Sequence, residues 1–492
     1  MKPSKLLLMA ALLMGTSLLH GEIIPGQTVS WTDFSYITTI ITGNDFVWFG
    51  TTEGILRYHR YEHRWYDPIT ASDGLHGHLV QRMATFFDET QLTVETEEGV
   101  YSYHSGFGQW YLEVEFPQGD YQDSRVRLPL PALFVPLGYS MSPDGYITDN
   151  QLRNWRISAV LNDQEGTYYF GTWGLGALKA DDRTFTSEFL PYGLLQKRAD
   201  ALYIDGDSLW IGGNGGETSS AYGPTRLGVT LFERSRQQFT HFETRFIPGF
   251  DSEIIYDIDG DAKNIYFAGQ YGVTVHSRQD DRYFTLARHD GLPDQEATAL
   301  AVGKDSVWIG TARGLALYTP SIDSVVVVSA DILSSLFVTD LQLVPGKLII
   351  GTTRGAYYID LVTLKVGRLK DPAGILKGLI RHITIFDKFL YVASDWGLIE
   401  IDLTTEKSNP VPYTDNANGV YAVAANARYI AAAVDDGLIL YEKKTGKMRR
   451  FNELDGLLSI NINVLLGEGD DLWIGSEEGL TRFKWVNPDR VD

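Results

Sequence analysis

The chain has 492 residues, no cysteine and a formal net charge of −21. Without cysteine there are no disulfides, thiolate metal sites, thiol nucleophiles or lipidated N-terminal cysteine. The acidity makes phosphate backbones and anionic lipid heads poor partners, so nucleic acid and membrane surfaces are not expected to bind.

Residues 1–21 read as a secretory signal peptide. Lys2 and Lys5 form a short basic region, Leu6 to Leu19 an apolar one, and Gly21 precedes the expected cleavage point. The apolar run is shorter than the roughly 20 residues that span a bilayer, and no later run approaches it. The expectation is an exported protein, periplasmic or extracellular, with no membrane span. Losing Lys2 and Lys5 deepens its charge from −21 to −23. Next comes Trp31 to Phe34, which has the look of an outermost strand without inner partners of its own. It is expected to complete the last repeat, around Trp473 and Phe483-Lys484-Trp485, and so to close a ring.

Val47-Trp48-Phe49-Gly50-Thr51-Thr52-Glu53-Gly54-Ile55 is the first clear copy of a repeat. Its central position, glycine or alanine in all copies but one, serves as a marker, and it recurs at Glu95, the exception, and at Gly171, Gly212, Ala268, Gly310, Gly351, Ala393, Ala433 and Gly475. From 268 onward the steps are 42, 41, 42, 40 and 42 residues, a period typical of four-stranded propeller blades. A second landmark keeps the same register. Gly193, Gly291, Gly374 and Gly456 each lie 19 residues before the next marker, and two of them stand in Asp290-Gly291-Leu292 and Asp455-Gly456-Leu457. Each copy runs from an apolar strand through a polar turn to an aromatic or β-branched strand, then a glycine-bearing turn and a further strand. The expected fold is therefore all-β: a β-propeller of four-stranded antiparallel blades in about ten repeat units. The pattern leaves open a single wide ring or two smaller propellers split near residue 230. One blade cannot bury both faces of its sheet, so blades must stack.

Two stretches break the pitch. Residues 101–150 fall in a gap of 76 residues between markers; they suit either a functional insertion or an enlarged, degenerate blade. Asn214 to Arg226, rich in glycine and serine, reads as a loop. Asp257-Ile258-Asp259-Gly260-Asp261 has the look of a calcium loop but lacks the later bidentate acid, and it falls where a repeat places its first hairpin turn, so a structural turn is expected. His59 and His63 would lie about 13 Å apart along a strand, too far for one zinc. No metal, cofactor or catalytic residue is assigned, since no nucleophile elbow, phosphate loop or dinucleotide fingerprint appears.

The block W-[IF]-G-T-x-x-G, preceded by D-G-L, resembles the two-component regulator propeller repeat. It is clearest at Val47–Ile55, Asp290–Leu315 and Asp455–Leu480, and the resemblance covers most of residues 30–485. It implies a bacterial, extracellular, sensor-type propeller, for which carbohydrate recognition is the usual suggestion. The chain carries no kinase or regulator segment, so what the resemblance implies is binding and not phosphotransfer.

Repeat scaffolds recognise with their variable positions. Here that position is the residue before the second glycine: Glu53, Glu98, Tyr271, Arg313, Arg354, Trp396, Asp436 and Glu478, with Trp173 in an offset copy. Trp173, Tyr271 and Trp396 offer flat faces for sugar rings, and Arg313 and Arg354 offer forks for carboxylates or hydroxyl pairs. These five are the candidate ligand-binding residues; the alternative is that they are solvated turn residues. The leading expectation is a noncatalytic recognition propeller binding an oligosaccharide or a protein partner on this loop face. Two alternatives stand beside it, a carbohydrate-active lyase or hydrolase and a structural scaffold in a cell-surface assembly.

Overall fold

The computed structural model describes residues 19–20 and 28–485, except 86–88, 105–108, 118–121, 131–134, 164, 216–223, 329–331, 335, 413 and 415–418. Of the expected leader, only residues 19–20 fall within it. Among the described residues no helix is long and apolar enough to cross a membrane.

Among the described residues the chain is all-β and forms ten sheets, each built on four antiparallel strands. We number them blades I to X in chain order, with innermost strands Ile37–Thr42, Val80–Thr85, Asn154–Asn162, Ala201–Asp205, Ile255–Gly260, Ala297–Val302, Val338–Val344, Ile380–Phe386, Ala422–Ala425 and Ile462–Glu468. The N-terminal strand Thr28–Trp31 pairs antiparallel with Leu480–Lys484 as the outermost strand of blade X. That closure follows from the aromatic pattern of the two segments: Trp31 stacks on Trp473 with ring centroids 6.1 Å apart.

The blades fall into two groups. The innermost strands of blades IV to X pack each on the next. Blade X returns to blade IV where the Ala199 N–H donates to the Ser476 carbonyl at 2.9 Å. These seven make a closed ring. Blades III, I and II, in that spatial order, make an arc of three. The arc is inserted between Thr28–Trp31 and the rest of the ring, so residues 32–36 and 191–200 are its two links. A boundary near residue 230 does not describe this layout, because that residue lies inside strand Gly228–Glu233 of blade IV. Arc and ring share one apolar core in which Trp31, Trp65, Tyr192, Phe232 and Phe239 are buried together.

The marker residue explains how blades stack. A Cβ on Gly310 would lie 2.5 Å from Val338 Cγ1 of the next blade, and one on Gly50 would lie 2.6 Å from Val80 Cγ1. Glycine is required there because a β-branched residue of the following blade fills the space. Blade II is last in the arc and has no following blade, and its marker is Glu95. That face of blade II is polar, with Arg82 paired to Glu95 and Ser102 to Glu113. Phe116, just after the blade, is buried with Arg82 over its ring. The other end of the arc is finished by residues from the stretch 101–150. Residues 101–104 and 109–113 belong to blade II, while Leu130, Met141 and Ile147 cover the apolar outer face of blade III around Trp155 and Phe170. Ser124 threads between blades I and III, accepting the Ile40 N–H at 3.0 Å and passing its carbonyl to the Val160 N–H at 2.8 Å. The stretch thus completes one blade and caps another, as terminal units of a stacked array require.

Candidate functional site

The turn that carries the variable position is built the same way in blade after blade. Thr311 Oγ1 donates to the Gly314 carbonyl at 2.9 Å and accepts the Arg313 N–H at 3.2 Å. Thr51, Thr352, Ser394 and Ser476 do the same for Gly54, Gly355, Gly397 and Gly479. The hydroxyl closes the turn and the second glycine takes the left-handed conformation, φ +111° at Gly314. The residue between them has its backbone tied and its side chain turned outward. This frame leaves that position free to vary.

Tyr271, Arg313, Arg354 and Trp396 occupy this position on four successive blades of the ring, V to VIII. Trp396 is 63% exposed and Tyr271 45%. The Trp396 indole lies against Gly378, where any side chain would collide with it. Arg313 is already engaged, its Nε 3.1 Å from Asp294 Oδ2. Trp173 is on the arc instead, and the structure does not group it with the other four.

Trp173 lines a cleft of about 590 Å³ where arc and ring meet. The two links supply Asp33, Ser35, Tyr36, Gln196 and Lys197, the turn of blade I supplies Glu53, and blade IV supplies Arg226. Trp173 meets Tyr36 edge to face at 5.5 Å and lies under the Arg156 guanidinium at 5.4 Å. Asp33 accepts the Ser35 N–H at 3.0 Å through Oδ1, and burial pushes its carboxyl above the usual range. Tyr36 is pushed up to about 12 by burial and by the Asp33 charge. Lys197 bridges the two bodies: its Nζ is 3.1 Å from Glu53 Oε1 of the arc and also contacts Glu478 of the ring. Burial raises the Glu53 carboxyl despite that cation. Arg226 holds Glu243 through Nε at 2.9 Å. The lining is therefore aromatic in part, at Trp173 and Tyr36, and otherwise offers two carboxylates, an amide and two cations. Of these lining residues, Trp173 was legible in the sequence as a candidate and Glu53 as a variable position; Asp33, Tyr36, Lys197 and Arg226 lie in links and loops outside the repeat and carried no such signal. Residues 216–223 of the loop before Arg226 lie outside the described residues.

A second cavity, about 410 Å³, runs down the ring axis and is lined by innermost strands. The expected turn at 257–261 is corrected here. Only Asp261 sits in the hairpin turn, accepting the Asn264 N–H at 2.8 Å. Asp257 and Asp259 lie on the innermost strand of blade V and accept the Leu300 and Val302 N–H of the next blade at 2.7 and 2.8 Å. Asp340 does this for Ile383 at 2.5 Å, and His382 Nδ1 accepts the Val423 N–H at 3.3 Å. Burial pushes Asp257 up to about 7 and Asp340 well above its ordinary range, and pulls His382 down to about 4. These side chains are used to satisfy strand-edge N–H groups. Asp257, Asp340 and His382 each stand 11 residues before a marker, and that offset was the signal available in the sequence. The Asp of D-G-L is likewise structural. Asp290 and Asp455 accept the Ala287 and Asn452 N–H at 2.9 Å, and Asp73-Gly74-Leu75, two residues out of register with its marker, forms the same turn. No group of three or more His, Cys, Asp or Glu able to hold a metal occurs among the described residues.

No protein-family model matches the chain, and no curated protein sequence matches it. Solved structures do. PorZ, a surface component of the type-IX secretion system of Porphyromonas gingivalis, is 15% identical with a TM-score of 0.50, over 91% of this chain and 74% of its own. The extracellular domain of the one-component system BT4673 from B. thetaiotaomicron is 13% identical with a TM-score of 0.48, over 92% and 71%. That of the hybrid two-component system BT3049 from the same organism is 15% identical with a TM-score of 0.49, over 92% and 68%. At such identities the likeness to PorZ is one of fold, and the propeller-repeat reading remains a resemblance carried by the motif.

Proposed function

We propose that this chain is an exported, noncatalytic recognition protein that holds an oligosaccharide in the cleft between arc and ring. The observation that carries the reading is the composition of that cleft. Trp173 lines the same cleft as a set of hydrogen-bonding groups, Asp33, Gln196, Lys197 and Arg226, and a sugar ring needs that combination: an aromatic ring to stack on and partners for its hydroxyls. The cleft's formal charges balance, Asp33 and Glu53 against Lys197 and Arg226, which suits a neutral ligand. The rim residues Tyr271, Arg313, Arg354 and Trp396 form a second, more open surface on the ring. Export rests on the signal-like N-terminus. The absence of catalysis is supported by the channel carboxylates, which are committed to backbone N–H groups.

The test is a thermal-shift screen of the mature protein against neutral and acidic oligosaccharides, with each sugar recovered and weighed by mass spectrometry. A ligand that binds only the folded state stabilises it by about 2.7 kcal/mol at a hundredfold excess over Kd. A midpoint raised by an intact sugar, and not raised in Trp173→Ala, is the expected result. Cleaved sugar would replace this reading with a lyase or hydrolase, and no shift across the panel would leave it without support. The scaffold alternative has one observation behind it, an uncharged strand edge.

A further inference from the structure

The outermost strand of a propeller blade has one edge unpaired, and proteins protect such edges with charge, proline or a covering segment. Among the described residues, blades I to IV follow this rule with Asp67 and Pro68, Glu113, Glu188 and Glu243. Blades V, VII and VIII follow it with Arg282, Arg368 and Pro410, and on blade IX Leu19–His20 pairs with the outer strand at Arg449 and Arg450. Two outer strands lack any such residue. One is Thr28–Trp31 of blade X, and all four of its residues are buried. The arc covers it, with Ser30 Oγ 2.6 Å from Ser72 Oγ and Trp31 donating to Tyr192. The other is Ser324–Val327 of blade VI, followed by Val328, and among the described residues nothing pairs with its outer edge. Val326 is 57% exposed and Val327 44%. Ile322, at the turn before the strand, and Val362 and Leu364, at the equivalent turn of blade VII, are exposed aliphatics as well.

We infer that the outer edge of Ser324–Val328 pairs antiparallel with the same strand of a second copy of this chain. An open strand edge is a row of N–H and C=O groups that another strand satisfies. The segment Ser-Val-Val-Val-Val is its own complement about a two-fold axis. Val328 bonds inward to Leu315, so Val325 and Val327 present the open edge. Val326 then falls opposite its own copy and Val325 opposite Val327, the β-branched pairs that suit a sheet. Charge argues for the same place. Copies that each carry a net charge of −21 repel one another, and a strand without ionisable groups is where two of them approach at least cost. A pair of such short strands buries less than the roughly 1,200 Å² of stable complexes, so the dimer is weak and strengthens with salt as repulsion is screened.

The experiment is sedimentation velocity of the mature protein over about two decades of concentration, up to about 200 µM, at low and at moderate salt. The wild type is expected to shift from monomer toward dimer, more so with salt. Val326→Lys and, separately, Val327→Lys are expected to stay monomeric at every concentration with an unchanged thermal midpoint, while Tyr61→Lys, exposed elsewhere, dimerises like the wild type. Amide exchange of Val325 and Val327, whose N–H groups face the open edge, should slow with concentration in the wild type alone. A wild type that is monomeric throughout overturns the inference and leaves the edge to a different partner. So does a dimer that survives both valine substitutions, or one that weakens with salt.

Discussion

Gly310→Ala is the sharpest test of how the blades stack. The added methyl would sit 2.5 Å from Val338 Cγ1 and 2.9 Å from its Cβ, against the roughly 3.5–4.0 Å of an ordinary carbon contact. Overpacking of this kind costs about 1–3 kcal/mol. Val338→Ala alone removes buried methyls and costs about 2 kcal/mol. Combined, the two should cost clearly less than their sum, because the smaller Val338 side chain makes room for the new methyl. Glu95→Ala, at the same marker position of a blade with no successor, removes a part-exposed ion pair and should change stability by less than about 1 kcal/mol. Urea midpoints of the four variants measure this. Midpoints are preferred to extrapolated free energies because a chain of ten stacked blades need not unfold in two states. An unchanged midpoint in Gly310→Ala, or no relief in the double variant, would refute the stacking argument.

Asp257 holds its proton up to about pH 7 in the fold against an ordinary value of 3.8. Between those values the folded chain binds more protons than the unfolded one, so this group's contribution to stability falls as pH rises from about 4 to 7. The ceiling is about 4 kcal/mol at 1.36 kcal/mol per pH unit; water in the channel reduces it to the order of 1–2. His382, lowered to about 4, works in the opposite direction, so the check is the difference between wild type and Asp257→Asn in urea midpoints at pH 5 and pH 8. The variant should gain on the wild type at the higher pH, and equal differences at both would contradict the burial argument. Trp31→Ala empties a fully buried site between arc and ring and should cost about 3–5 kcal/mol. Amide exchange should rise together in Thr28–Trp31 and in residues 191–200, and a purely local change would show that the shared core does not couple the two bodies. Trp396→Ala, at an exposed site, should leave the thermal midpoint within about 0.5 kcal/mol of wild type, and a larger loss would mean the indole is a packing residue.

The repeat was legible because its marker glycine, its turn hydroxyl and its second glycine answer to forces inside one blade or at its contact with the next. Those forces are the same in arc and ring, so the motif gives the number of blades and is silent on which blade follows which. Glu95 carried the missing information: a marker that is not small belongs to a blade without a successor. The closing strand was readable from Trp31, which packs on Trp473, but its bounds were not: the strand is Thr28–Trp31, and residues 32–34, expected in it, belong to the link. Trp173 was found through its variable position, yet Asp33, Lys197 and Arg226 come from links and loops whose sequence obeys no period. Asp257 and Asp259 were taken for turn residues because the aspartate cluster falls where a repeat places its first hairpin turn. The strand location of Asp257 follows from its register with Asp340 and His382, and both aspartates accept edge N–H groups of the next blade.

The most direct measurement of the central proposal is a calorimetric titration of the best oligosaccharide from the screen into the wild type, Trp173→Ala and Trp396→Ala. Recognition in the cleft predicts that Trp173→Ala weakens binding by about tenfold or more, a loss of about 1.4 kcal/mol, while Trp396→Ala binds like the wild type. Equal binding by Trp173→Ala and wild type, with the loss confined to Trp396→Ala, would move recognition to the rim of the ring and contradict the assignment of the cleft.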